Sequence, residues 1–261
     1  MSASEARVFR GGLPEARPPG AASRSAHTLA SCLGGMDWER VGAELDSFGA
    51  VTTGVLLTPV ESIGIASRYA REEGFRSRVV MSRHGFGRGE YKYYAYPLPD
   101  LIAELRTALY PPLAAIANRW EEALGRRGDY PHDHAAYLDR CHAAGQRRPT
   151  PLLLRYGTGD YNCLHQDLYG ALAFPLQIAF LLSAPGEHFT GGEFVLTEQR
   201  PRMQSRAEVV SLRQGEGVIF AVNQRPVQGG RGVYRVTMRH GVSRLRSGER
   251  FTLGIIFHDA A

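Results

Sequence analysis

The 261-residue sequence is poor in cysteine and tryptophan, with three of the first (Cys32, Cys141 and Cys163) and two of the second. An odd cysteine count without paired spacing argues against a disulfide framework, so reduced thiols and a cytoplasmic setting are expected. No apolar run approaches the roughly 20 residues that cross a bilayer, and no membrane association is expected. Arg7, Arg10 and Arg17 are followed by no apolar segment, which excludes a secretory signal of the usual kind. Internal repeats are lacking, as are helix-turn-helix and zinc-finger patterns. His132, His134, Cys141 and His142 match the spacing of no common closed zinc site. Against these absences stand 43% hydrophobic and 22% charged residues, enough for a globular core. The formal net charge of +5 favours an anionic partner.

Texture changes along the chain. Residues 1–35 are rich in Gly, Ala, Ser, Pro and Arg and read as a mobile leader. Residues 36–150 read as a helical layer carrying loops on the substrate side. A short helix is expected over Asp37 to Leu45 and a strand over Val51 to Leu57. Thr58-Pro59-Val60-Glu61 has the form of a capping box with proline at the first helical position, opening a helix to about Glu73. Strand-like stretches follow at Arg76 to Ser82 and Tyr91 to Tyr96. Leu101, Leu105, Leu109, Leu113, Ile116 and Trp120 recur near helical spacing, and Pro111-Pro112 should break or kink that helix. A short helix from His134 should end at Gly145. From residue 151 to 261, short β-like runs alternate with Gly, Pro and Asn, as in a sandwich or barrel. The expected class is α+β: a double-stranded β-helix (jelly roll) sharing one core with the N-terminal helical layer.

The informative segment runs from Arg155 to Asp167. In an extended chain, residues i and i+2 share a face, so His165 and Asp167 would converge on one point. The distant His240 is the candidate third ligand. Two histidines and a carboxylate on one face of Fe(II) leave positions for a bidentate 2-oxo acid and O2. Further on, alternation puts Arg250 and Thr252 on one face of a strand and Phe251, Leu253, Ile255 and Phe257 on the other. A guanidinium in the barrel mouth can grip a carboxylate in a planar fork, which suits the far end of 2-oxoglutarate.

With these residues in place, the chain from Leu152 to its C-terminus resembles the Fe(II)/2-oxoglutarate dioxygenases. His165, Asp167 and His240 match that family's iron triad in order and spacing, and Arg250 matches its 2-oxoglutarate arginine. Thr252 stands where many members carry Ser or Thr. Gly191-Gly192 resembles a turn of prolyl-hydroxylase-like members. Tyr156, nine residues before the first iron histidine, is similar to a position of the AlkB-like nucleic-acid dealkylases, where the resemblance implies a hydroxyl contacting 2-oxoglutarate. Leu154 departs from that branch, where asparagine is common, and only one of its two closely spaced C-terminal arginines is matched. Taken whole, the chain looks most similar to a prokaryotic 2-oxoglutarate–iron oxygenase family described as acting on damaged DNA. The implied activity is hydroxylation or oxidative demethylation, with an alkylated nucleobase as one candidate substrate. A protein side chain or small metabolite is the alternative, and a non-catalytic cupin-like binding module is a third reading.

On the substrate side, residues 83–96 interleave cations with aromatics on a glycine-rich turn. Arg83 and Arg88, with Lys92, could clamp phosphates while Tyr91 and Tyr93 stack on bases; an ordinary hairpin with cross-strand tyrosines explains the same pattern. Arg200 to Arg206 forms a second basic loop. Tyr169, two residues past Asp167, either bonds the substrate or packs. Cys163 is expected as a small buried residue.

Overall fold

The computed structural model describes residues 29–230 and 232–261. The leader expected over 1–35 falls largely outside them. Its last residues are helical: α1 (Leu29–Gly34) buries Leu29 and Leu33 in the core.

Helix α2 (Trp38–Phe48) starts where the Asp37 side chain accepts the Arg40 amide and ends at Gly49 in the left-handed region. Helix α3 (Pro59–Ser67) has the expected capping box. Thr58 Oγ1 accepts the Glu61 amide at 3.2 Å, and Glu61 accepts the Thr58 amide at 2.9 Å. It tightens into a 3-10 turn at Arg68–Ala70 and stops short of Glu73. Helix α4 (Asp100–Ala123) continues through Pro111 and Pro112 without the break that was one of the two expected outcomes. Prolines in a helix interior cost on the order of 3 kcal/mol each. Here they are outweighed by an apolar stripe in which Leu105, Leu109, Leu113, Ala117 and Trp120 are all buried. Helix α5 (His134–Ala143) is capped by Asp133.

The strands begin with β1 (Ala50–Val55), β2 (Phe75–Val80), β3 (Gly87–Arg88) and β4 (Glu90–Tyr94). The C-terminal half supplies β5 (Leu152–Tyr156), β6 (Tyr161–His165), β7 (Leu176–Leu181), β8 (Phe189–Gly191), β9 (Phe194–Gln199) and β10 (Arg206–Val210). Then come β11 (Glu216–Ala221), β12 (Gln224–Gly229), β13 (Gly232–Val242), β14 (Leu245–Gly248) and β15 (Arg250–Ile255). The larger sheet has the order β1-β11-β7-β15-β5-β4-β2, and the smaller β10-β9-β13-β6-β3 with β12 on β13. Strands β8 and β14 pair separately. This is the double-stranded β-helix of the expected α+β class. Every residue of β7 and of β11 is buried, because helices cover one face of the larger sheet and the smaller sheet faces the other. One apolar cluster joins Leu109 and Trp120 of α4 to Ile178, Phe220 and Phe257.

Candidate active site

A cavity of about 200 Å³ lies between the two sheets. His165, Asp167 and His240 line it, and among the described residues they are the group whose ligand atoms converge, all within 4.8 Å of one another. His165 ends β6 and His240 sits opposite it on β13. Their rings lie 4.2 Å apart. Asp167, however, lies beyond the end of β6, so strand alternation is not what brings it to His165. The carboxylate swings between the imidazoles instead, with Oδ1 3.5 Å from His165 Nε2 and Oδ2 3.4 Å from His240 Nε2. His165 Nδ1 donates to the Cys163 carbonyl at 2.8 Å, which leaves the Nε2 lone pair facing the site. His240 is packed by the Phe220 and Phe194 rings. Burial disfavours charge on Asp167, but the two imidazoles outweigh it and hold the carboxyl well below its ordinary range. Burial lowers the His240 imidazole, and the neighbouring His165 adds to this.

Arg250 opens β15 in register with Tyr156 of β5 and is 2% exposed. Its Nη1 donates to Thr252 Oγ1 at 2.6 Å, and its Nε has no partner. Burial pushes the guanidinium down to about 10, so it stays charged at neutral pH. Tyr156 lies with its ring 5.7 Å from the guanidinium carbon. Its buried hydroxyl lies close to Asn162 but forms no hydrogen bond of good geometry. Arg250, Thr252 and Tyr156 all line the same cavity as the triad.

The substrate-side residues separate. Tyr91 lines the cavity, and Arg83 and Arg88 are exposed, Arg88 having only Asp160 at 3.7 Å. Phe86, on the same turn, reaches the cavity and remains 47% exposed. Tyr93 is buried against Leu152 and Ile256 and cannot stack on a base. Lys92 is also buried. Its ammonium donates to the Tyr69 and Arg71 carbonyls and to Glu72, which removes it from any phosphate. Alternation on β4 explains both: Tyr91 and Tyr93 face one side and Lys92 the other, and both sides are covered. Tyr169 lines the cavity, but its hydroxyl donates to Asp167 Oδ1 at 2.7 Å. Cys163 is exposed rather than buried. Arg200 and Arg206 pair with the buried Glu198, away from the cavity. His134 bonds the Phe257 carbonyl and His142 bonds Asp259, so neither is arranged around a metal.

Two functional neighbours escaped sequence reasoning. Gln177 Nε2 donates to Asp167 Oδ2 at 2.9 Å. Gln166 is pinned to Asn223 Oδ1 and the Met238 carbonyl, both at 2.8 Å. A signal for Gln177 existed, since it is the one polar residue of the apolar run Leu176–Leu181.

Two imidazoles on paired strands of a jelly roll and a carboxylate just past the end of one of them, with a buried arginine in the same cavity, define a 2-oxoglutarate- and Fe(II)-dependent oxygenase, which uses O2 as oxidant. Residues 89–260 match the profile of Oxygenase-NA, described as an oxygenase catalysing oxidative methylation of damaged DNA, and the chain belongs to that family. An uncharacterized protein of Mycobacterium tuberculosis is 53% identical over 165 residues, which is 63% of this chain and 71% of the relative. Among solved structures, a prolyl hydroxylase from Trichoplax adhaerens, determined with a hypoxia inducible factor peptide, is 12% identical. It aligns over 90% of this chain and 93% of its own with a TM-score of 0.50, a likeness of fold. A Pseudomonas putida prolyl-4-hydroxylase aligns over 86% of this chain and 99% of its own, at 15% identity and a TM-score of 0.45. Among the described residues, no helix is long and apolar enough to cross a membrane.

The residues present fit the two groups this class employs. A set of two nitrogens and one carboxylate oxygen with an open side suits Fe(II). The buried Arg250 Nε and Tyr156 hydroxyl, both without partners, are donors that a carboxylate would satisfy.

Proposed function

We propose that His165, Asp167 and His240 hold Fe(II), and that Arg250, Thr252 and Tyr156 bind the distal carboxylate of 2-oxoglutarate. The observation that carries this reading is the buried guanidinium of Arg250. A charge taken out of water is normally paired. Thr252 supplies a hydroxyl and no charge, and the Glu193 carboxylate acts on the guanidinium only through its field, so an anion bound in the cavity would complete the site. When bound, iron and 2-oxoglutarate together activate O2 for hydroxylation of a C–H bond, with loss of carbon dioxide and formation of succinate. The protein's share is orientation. Arg250 and Thr252 fix one end of the cosubstrate, and the triad fixes the metal end. Leu154, Phe194, Phe220 and Val242 line the cavity and exclude water from it.

The substrate in this reading is an alkylated base in single-stranded or locally opened nucleic acid. Such a base can enter a cavity that a stacked duplex cannot reach. Support comes from the family description, the net charge of +5, and the exposed turn that places Phe86 at the cavity with Arg83 and Arg88 beside it. Hydroxylation of a methyl group on nitrogen would release it as formaldehyde. The three free cysteines agree with a cytoplasmic location.

Asp167→Ala should abolish tight Fe(II) binding and 2-oxoglutarate turnover while the protein stays folded. Normal succinate yield from this variant would remove the metal assignment. Succinate release screened against methylated oligonucleotides, peptides and free amino acids tests the substrate. Turnover stimulated only by peptide would replace the nucleic-acid reading with that of a protein hydroxylase.

A further inference from the structure

Asp167 sits past the end of β6, on a segment with no backbone ladder of its own, so side chains must orient its carboxylate. Two do so. The Tyr169 hydroxyl donates to Oδ1 at 2.7 Å, and Gln177 Nε2 donates to Oδ2 at 2.9 Å. Each carboxylate oxygen has about two lone-pair sites. One on each oxygen is used by these donors, which leaves one on each turned toward the imidazoles, 3.5 and 3.4 Å away.

We propose that Tyr169 and Gln177 are positioning residues, which clamp the Asp167 carboxylate in one orientation for the metal. The inference rests on the proposed metal role of Asp167. Both clamp residues are themselves held by neighbours. Gln177 belongs to β7, a strand held between β11 and β15 and buried along its length. A buried amide in an apolar strand is costly unless its bonds are made; the carboxylate is the partner of its Nε2, while its Oε1 has none. Tyr169 is held through its backbone, since Gln146 Nε2 donates to its carbonyl at 3.2 Å. Its ring stands edge-on to Tyr93 at 6.2 Å. The next residue, Gly170, takes a φ of 111°, and a Cβ there would lie 2.5 Å from the Gln146 side chain. The chain therefore turns tightly at this point, with the hydroxyl aimed inward.

Hydrogen-bond partners of metal ligands typically set metal affinity by about 10- to 100-fold. The test titrates the metal-free 261-residue chain with Co(II), followed by its visible absorbance, for the unsubstituted protein, Tyr169→Phe, Gln177→Leu, both together, and Asp167→Ala. Each single clamp variant should bind Co(II) about 10- to 100-fold more weakly. Its spectrum should change as the carboxylate rotates, and its metal-free melting temperature should be retained. The double variant should lose less than the product of the two, because both act on one carboxylate. Unchanged affinity and spectrum in both single variants, with binding lost in Asp167→Ala, would overturn the clamp. Unchanged binding in Asp167→Ala would overturn the metal assignment instead. A loss of affinity matched by a loss of metal-free stability would make the role structural and also overturn the proposal. If Gln177→Leu does not fold, Tyr169→Phe, which keeps the ring packing, decides alone.

Discussion

Replacing Arg250 with lysine keeps the charge and removes the fork, which isolates what the guanidinium contributes. Arginine presents five N–H donors in a plane, and lysine is a point charge on a flexible stem. In the structure, one Arg250 donor is used on Thr252 Oγ1, and the Nε donor is buried and unused. The side chain is 2% exposed, so bulk water screens its bonds little. Losing one charge-assisted hydrogen bond there should cost about 1.5–3 kcal/mol. At about 1.4 kcal/mol per factor of ten, that is a rise of roughly 10- to 150-fold in the dissociation constant. Calorimetric titration of 2-oxoglutarate into Mn(II)-loaded protein measures this without turnover. Arg239→Lys and Arg244→Lys serve as controls, since both arginines are exposed. An unchanged dissociation constant in Arg250→Lys, or a large change in either control, would refute the assignment.

Stability should depend on pH through two buried histidines. Burial, reinforced by the nearby Arg106 charge, lowers His134 and His258 from 6.5 to about 4. Unfolded chains therefore bind more protons in that window, so stability is full above pH 6.5 and falls as pH drops toward 4. The loss is on the order of 3 kcal/mol per group, and equal urea midpoints at neutral and mildly acidic pH would contradict it. Arg83→Gln with Arg88→Gln should reduce the salt dependence of single-stranded DNA binding by a log–log slope of roughly 1.4, read by fluorescence anisotropy. Lys92→Gln should leave that slope unchanged and lower the melting temperature, because its ammonium is bonded within the fold. Gly192→Ala would set a Cβ 2.2 Å from Leu245 Cδ1 and 3.1 Å from Arg250 Cδ, at a φ of 66°. It should cost about 1–3 kcal/mol in thermal unfolding and weaken 2-oxoglutarate binding as well.

Several features were legible in the sequence because their causes are local. The capping box at Thr58 and Glu61 needs only residues three apart, and it formed as written. Alternation along β15 is a property of any strand, and it turned Arg250 and Thr252 into the cavity. The His165, Asp167 and His240 pattern was readable because few chemistries combine those side chains with a later arginine on a strand. What remained was decided by neighbours far away in the chain. Asp167 reaches the triad through side-chain bonds, one of them from Gln177 on another strand, and not through alternation. Helix α4 survives two prolines because its stripe is buried against distant strands. Lys92 and Tyr93 read either as part of a nucleic-acid-contacting loop or as part of an ordinary hairpin. The fold buries both, because each face of β4 is covered, Tyr93 by Leu152, Ile256 and Tyr169 and Lys92 by the Tyr69 and Phe75 rings. Local sequence sets which side chains can share a face; which faces are covered, and by what, depends on contacts that form only when the chain closes on itself.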